Sequence, residues 1–247
     1  MKKSPLLFLA FALSLVALAG CSAIQREFLF HPTHHHRDNG LTPWLHDGKL
    51  IGYSRPATRP KNIWLMLHGN GGQAADRAYA LPCFSKEDSV FILEYPGYGS
   101  RDGVPSKTIF DAAAAEAYGI LRNTFPTRPV CVVGESIGTG PASTLAGQTQ
   151  PPDKIVLVVP FDNLKSVAAD HFPFLPVGLI LGDSWDNVRA LSHYQGPIEI
   201  FGAAEDTIIP IKHAEQLGRS LPAAKFHRIP GGHNEWWTDD RVTIRNQ

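Results

Sequence analysis

Ser136 stands in Gly134-Glu135-Ser136-Ile137-Gly138, the Gly-x-Ser-x-Gly pattern that carries a serine on a sharp turn between a strand and a helix. So tight a turn requires small residues two before and two after the serine, and both are glycine. A serine hydroxyl is a weak nucleophile until a base takes its proton, the base must be oriented by a third group, and the resulting oxyanion needs fixed donors. Each part has a candidate. His233, in Pro230-Gly231-Gly232-His233-Asn234, offers the base, and Asp206, in Gly202-Ala203-Ala204-Glu205-Asp206-Thr207, offers the carboxylate. The backbone N–H groups of Ile137 and of Asn70, in His68-Gly69-Asn70-Gly71, are the oxyanion-hole candidates. Residues arranged in this way would carry out nucleophilic acyl transfer.

Three other residues compete for these roles. His213 and His227 are possible bases, but one falls in a helical pattern and the other in a strand pattern. Glu205 is adjacent to Asp206 and is the rival carboxylate. A histidine run, His34-His35-His36, invites a metal reading; adjacent residues in a Pro/Asp/Asn/Gly-rich stretch rarely converge on one ion, so a solvated loop is expected.

These residues need elements to position them. The apolar run Ile63–Leu67 reads as a strand covered on both faces, Ile155–Val159 and Ile198–Phe201 as further buried strands, and Val90–Leu93, Val130–Val133 and Phe226–Ile229 as strands. Lys49–Tyr53 reads as a further strand, and Phe28-Leu29-Phe30 as the start of the first. Helices are expected over Ala74–Phe84, Lys107–Phe125, Thr139–Gln148 and Ile211–Leu221, with a last one near Asn234. In Lys107–Phe125, residues Phe110, Ala114, Ala117, Leu121 and Phe125 share one face. Alternating strands and helices imply an α/β fold: a mostly parallel central sheet with helices on both faces. Ser136, Asp206 and His233 all follow strand ends, where open α/β sheets place their sites. The stretch over about 161–194 breaks the alternation with prolines, and is either a short cap beside the site or an ordinary crossover.

The chain has 247 residues, 43% of them hydrophobic and 19% charged, enough for one domain with a full core. Its formal net charge of zero gives no reason to expect a nucleic-acid partner. Residues 1–20 form a separate unit. Lys2 and Lys3 precede the apolar run Leu6–Ala19, which is too short to span a bilayer comfortably and is closed by small residues, as in an export signal. Residues 21–247 are then the folded domain. Cys131 lies within an apolar strand, where a buried free thiol is expected.

Two resemblances rest on these residues. Leu18-Ala19-Gly20-Cys21 resembles the lipobox of bacterial lipoproteins, which implies cleavage before Cys21, lipid on that residue and anchoring to a membrane. Ser22 in place of aspartate implies the outer membrane where a cell has two. A plain secretory signal with an incidental cysteine is the alternative. The remainder, from about Phe28 to Trp237, resembles α/β-hydrolases of the prolyl-oligopeptidase-type and acyl-protein-thioesterase-like group, through His68–Gly72, Tyr95–Gly99, Gly134–Ala142, Gly202–Asp206 and Gly231–His233. Phe172–Leu181 with Asp186-Asn187 resembles the cap of membrane-associated members. The family's chain order is nucleophile, acid, base, which matches Ser136, Asp206, His233, and a buried, shorter carboxylate matching the family's loop favours Asp206 over Glu205. The resemblance implies hydrolysis of an ester, thioester or amide through an acyl-enzyme, without cofactor, and the short apolar cap favours an acyl ester or thioester, with a small-molecule or lipid-like acyl substrate. An amidase or peptidase with the same triad is the alternative, and an inactive lipoprotein scaffold a further one. Two departures stand out: the chain ends soon after His233, so its last helix is short, and Gly71-Gly72 leave the oxyanion loop mobile.

Overall fold

The computed structural model describes residues 26–27, 29–35, 39–177, 181–182 and 184–246. Residues 1–20, Cys21 and Phe28 lie outside them. Eight strands form the main sheet: β2 (Thr42–His46), β3 (Lys49–Arg55), β4 (Ile63–Leu67), β6 (Ser89–Leu93), β7 (Val130–Glu135), β8 (Ile155–Val158), β9 (Ile198–Ala203) and β10 (Lys225–Ile229). Their order is β10-β9-β8-β7-β4-β6-β3-β2. All neighbours pair in parallel except β3, which runs against both β6 and β2. Two further short strands, β1 (His31–Pro32) and β5 (Gly71–Gly72), pair in parallel with each other.

The central strands are buried along their whole length because each face of the sheet has its own core. Along β4, Ile63, Leu65 and Leu67 enter one apolar cluster, and Trp64 and Met66 enter the other, following the two-residue period of a strand. Helical segments cover both faces, but unequally. The helices α1 (Lys107–Thr124), α2 (Thr139–Thr144), α3 (Leu164–His171), α4 (Asn187–Leu191) and α5 (Ile211–Ser220) all contribute to the first cluster. The second face is covered by 3₁₀ turns over Ala74–Cys83 and Trp236–Thr238 and by the tail residues Val242 and Ile244.

Several sequence expectations shift in detail. Leu29 is helical, and the first strand begins at His31, where it pairs with Gly71-Gly72 and not with the main sheet. Ala74–Cys83 is 3₁₀, with Pro82 inside it. The helix after Ser136 is α only over Thr139–Thr144 and tightens to 3₁₀ at Leu145–Gly147. The element near Asn234 is a single 3₁₀ turn. Cys83 and Cys131 are free and buried, and burial pushes their thiols up to about 11 and about 12.

Candidate active site

The strand β7 ends in a turn that holds Ser136 at φ +54°, in the left-handed region that side chains avoid. The turn closes only because its flanks lack side chains. A Cβ on Gly134 would lie 2.6 Å from the Gly138 carbonyl, and one on Gly138 would collide with the carbonyls of Leu67 and His68 at the end of β4. Strain held this way at a single residue is a mark of functional positions.

His233 and Asp206 arrive from the ends of β10 and β9. Gly231, at φ +81°, turns the chain out of β10, and its carbonyl accepts the Glu205 N–H at 3.0 Å, which stitches the His233 loop to the Asp206 loop. The His233 imidazole lies 2.8 Å from Ser136 Oγ through Nε2 and 2.7 Å from Asp206 Oδ2 through Nδ1. A carboxylate only accepts, so Nδ1 carries the proton and Nε2 is left to accept from the serine hydroxyl. The other carboxylate oxygen, Oδ1, accepts the N–H groups of Ile208 at 2.9 Å and Ile209 at 2.7 Å, which fixes the carboxylate plane. The side chains of His233 and Asp206 are 8% and 1% exposed, so this chain of hydrogen bonds is shielded from water. The three residues singled out in the sequence are therefore adjacent in space. Glu205 contributes only its backbone. His213 and His227 sit elsewhere: His213 between Asp162 and Asp170, and His227 stacked on Phe201.

Asn70 and Ile137 both border the cavity above Ser136. The Asn70 carbonyl accepts the His31 N–H at 3.0 Å and the Tyr98 hydroxyl at 2.7 Å, while its side-chain amide donates to Leu29 O at 3.1 Å. The side chain is thus used to hold the N-terminal segment. The loop itself is clamped, contrary to the mobility expected of Gly71-Gly72. Gly69 N–H donates to Glu135 Oε2 at 3.1 Å, Arg77 donates to the Gly71 carbonyl, and β1 pairs along Gly71-Gly72. Glycine supplies the close approach, and tertiary bonds remove the freedom it brings.

Glu135 is the residue that sequence reasoning missed. It precedes the serine, is buried, and accepts from Tyr79 Oη at 2.7 Å, Trp236 Nε1 at 3.2 Å and Gly69 N, with Arg77 Nε 3.7 Å away. Burial works to raise its pKa, but Arg77 and the three donors outweigh burial and hold the carboxyl below its ordinary range. A carboxylate directly after the apolar run of β7 was a visible signal. Its partners, scattered over three other segments, were not.

The cavity over Ser136 has a volume of about 480 Å³ and is bordered mostly by apolar side chains, among them Leu164, Val167 and Phe172 of α3 and its C-terminal end, together with Ile208 and Ile209. Phe161 reaches it from the end of β8, where Val159, a β-branched residue at φ +44°, redirects the chain. Phe172, Leu175 and Ile208 on its border are about half exposed. The stretch over about 161–194 is thus beside the site; residues 178–180 and 183 of it lie outside the described ones. The described part of the histidine run is a loop with His34 exposed, and it is tethered: His34 Nδ1 bonds the Gly99 carbonyl at 2.7 Å, and His35 Nε2 pairs with Asp76 at 2.9 Å, because β1 carries them onto these neighbours. His36 lies outside the described residues.

No protein-family model matches the chain. It is 31% identical over 176 residues to the uncharacterised Mycobacterium tuberculosis protein Rv2307c, an alignment covering 69% of this chain and 62% of that one. It is 30% identical over 195 residues to the lysophosphatidylserine lipase ABHD12 of Danio rerio, covering 68% of this chain and 51% of that one. The chain thus spans about three fifths and about half of the length of these relatives. A solved α/β hydrolase from Vibrio vulnificus superposes with a TM-score of 0.61 at 19% identity, over 74% of this chain and 70% of that one. The fold is the α/β-hydrolase fold.

Proposed function

We propose that the chain is a serine hydrolase that cleaves acyl esters or thioesters through an acyl-enzyme on Ser136. The observation that carries this reading is the continuous hydrogen-bond chain Ser136–His233–Asp206, buried at the floor of an apolar cavity. In the proposed reaction His233 Nε2 takes the hydroxyl proton as Oγ attacks the substrate carbonyl. The N–H groups of Asn70 and Ile137 receive the oxyanion, and the imidazolium, stabilised by Asp206, passes its proton to the leaving oxygen or sulfur. Water, activated by the same imidazole, then releases the acid.

An apolar cavity favours a fatty acyl group over a peptide, in keeping with the lipase named among the relatives. A lipid-like substrate also fits an exported chain anchored at Cys21, close before the described segment that contacts the oxyanion loop. The test is a fluorophosphonate probe together with p-nitrophenyl esters of graded chain length and aminoacyl anilides. The protein should be labelled and should turn over esters, and Ser136→Ala should lose both properties. Equal labelling of Ser136→Ala, or turnover of anilides alone, would overturn the reading.

A further inference from the structure

His213, at the start of α5, takes no part in the triad, yet it is buried and is held at both ring nitrogens by carboxylates. Nδ1 lies 2.8 Å from Asp162 Oδ1, in the loop after β8, and Nε2 lies 2.7 Å from Asp170 Oδ2, in the last turn of α3. Both acceptors are carboxylates, so this geometry needs a proton on each nitrogen: the ring is an imidazolium. We infer that His213 is a specificity-positioning residue, whose protonated ring holds α3 against α5 and so fixes the cavity wall that selects long acyl chains. The inference rests on the ester hydrolase reading above.

The helix α3 has two functional faces. Leu164, Val167, Ala168 and His171, with Phe172 just beyond, recur at helical spacing and line the cavity. Asp170 points away from the cavity, to His213 and to Lys212 Nζ at 2.6 Å. On the neighbouring side His171 Nε2 meets the Ile208 carbonyl at 2.8 Å, which links the same turn to the loop holding Asp206. The groups facing the His213 ring are therefore Asp162 from the β8 loop, Asp170 from α3 and, through Asp170, Lys212 of its own helix. Ser136, Asn70 and Ile137 share one cavity with the α3 residues, so on this inference a long acyl chain meets more of the α3 wall than an acetyl group does.

Loss of the proton breaks this arrangement in a definite way. A neutral imidazole has one N–H, so one carboxylate is left facing a lone pair. Asp162 is the better buried of the two, 14% against 33% exposed, and its Oδ1 also takes the Asn163 N–H at 2.7 Å. Asp170 is the partner that lets go, retaining only the partly exposed Lys212, and such surface pairs hold weakly. Burial opposes the charge on His213, but the two carboxylates outweigh it and raise its pKa above 6.5. The hold is therefore complete below the ordinary imidazole range and is lost as pH rises through the raised value.

The experiment compares kcat/KM for a long-chain and an acetyl p-nitrophenyl ester from about pH 6 to about pH 9.5. Titration of the catalytic imidazole acts on both substrates and cancels in their ratio. The long-to-short ratio should fall by about tenfold across this range, the scale of one charge-assisted hydrogen bond. His213→Gln, whose amide can donate to only one carboxylate, should hold the ratio low at every pH. Asp170→Asn can donate to a neutral ring and should hold it high and flat. A wild-type ratio that does not change with pH overturns the inference, as does a His213→Gln ratio with the wild-type slope. Binding of an uncharged fluorescent long-chain ester to Ser136→Ala gives the same decision without turnover. Affinity should weaken by about tenfold over the same pH range, and constant affinity is refuting. A protein that binds in this way but hydrolyses no ester would refute the hydrolase reading and leave this inference standing.

Discussion

Replacing Glu135 by glutamine tests whether the proposed oxyanion loop, His68–Gly72, is preorganised from beneath. The carboxylate accepts on both oxygens: Tyr79 and Trp236 donate to Oε1, and Gly69 N–H donates to Oε2, with Arg77 beside it. An amide has one oxygen and one NH₂, so one side must now set donor against donor. The Tyr79 hydroxyl can turn and accept, but Trp236 N–H and Gly69 N–H cannot. The Arg77 side chain, 12% exposed, also loses its main counter-charge and keeps only Asp76. One opposed donor and one weakly compensated buried cation together cost about 3 kcal/mol. For a domain of this size that corresponds to a fall in Tm of about 6–12 °C. If the amide oxygen turns to Trp236, Gly69 is released and Asn70 with it, and loss of one oxyanion donor costs about a hundredfold in kcat with KM little changed. Circular-dichroism melts and steady-state kinetics on one activated ester measure both effects. The lowered pKa of Glu135 also gives the effect a sign in pH: its contribution is complete above the ordinary value of 4.5 and is lost as pH falls through the depressed one. The stability gap between wild type and variant should therefore close in acid. A Tm within about 2 °C of wild type at neutral pH, or a gap that widens in acid, would refute the reasoning.

The carboxylate assignment is separable by one residue: Asp206→Asn should lose on the order of ten-thousand-fold in kcat, because an amide at Oδ2 forces the wrong tautomer on His233, while Glu205→Gln should lose little. If Glu205→Gln is the crippling change, with folding checked by circular dichroism, the roles are reversed. In a bacterial host, Cys21→Ser should move the protein from the membrane fraction to the soluble one, and carbonate-resistant association of the variant would refute lipid anchoring.

The sequence made the main sheet legible wherever strands are covered on both faces, since apolar runs such as Ile63–Leu67 have no other stable use. It hid β2, an edge strand in which only Trp44 is buried and the other four residues face solvent. It overstated helix at Ala74–Cys83, where good helix formers end in Pro82 and tertiary bonds select 3₁₀ geometry. Ser136, Asp206 and His233 could be singled out because each stands in a glycine-marked loop after a strand. The clamp on the oxyanion loop could not, since Glu135, Arg77, Tyr79 and Trp236 are brought together only by the fold. His213 was visible as a histidine in a helix, but its two carboxylates lie 51 and 43 residues away.

The pairing of β1 with β5 has a mechanical consequence. Leu29 O, His31 N and Thr33 N all bond to the segment Asn70–Gly72, the stretch proposed to receive the oxyanion. The same N-terminal segment is the first described part of the chain after the proposed anchor. Tension on a membrane tether would therefore bear first on the active-site loop and only afterwards on the core. If both proposals hold, the leash and the catalytic apparatus share their hydrogen bonds.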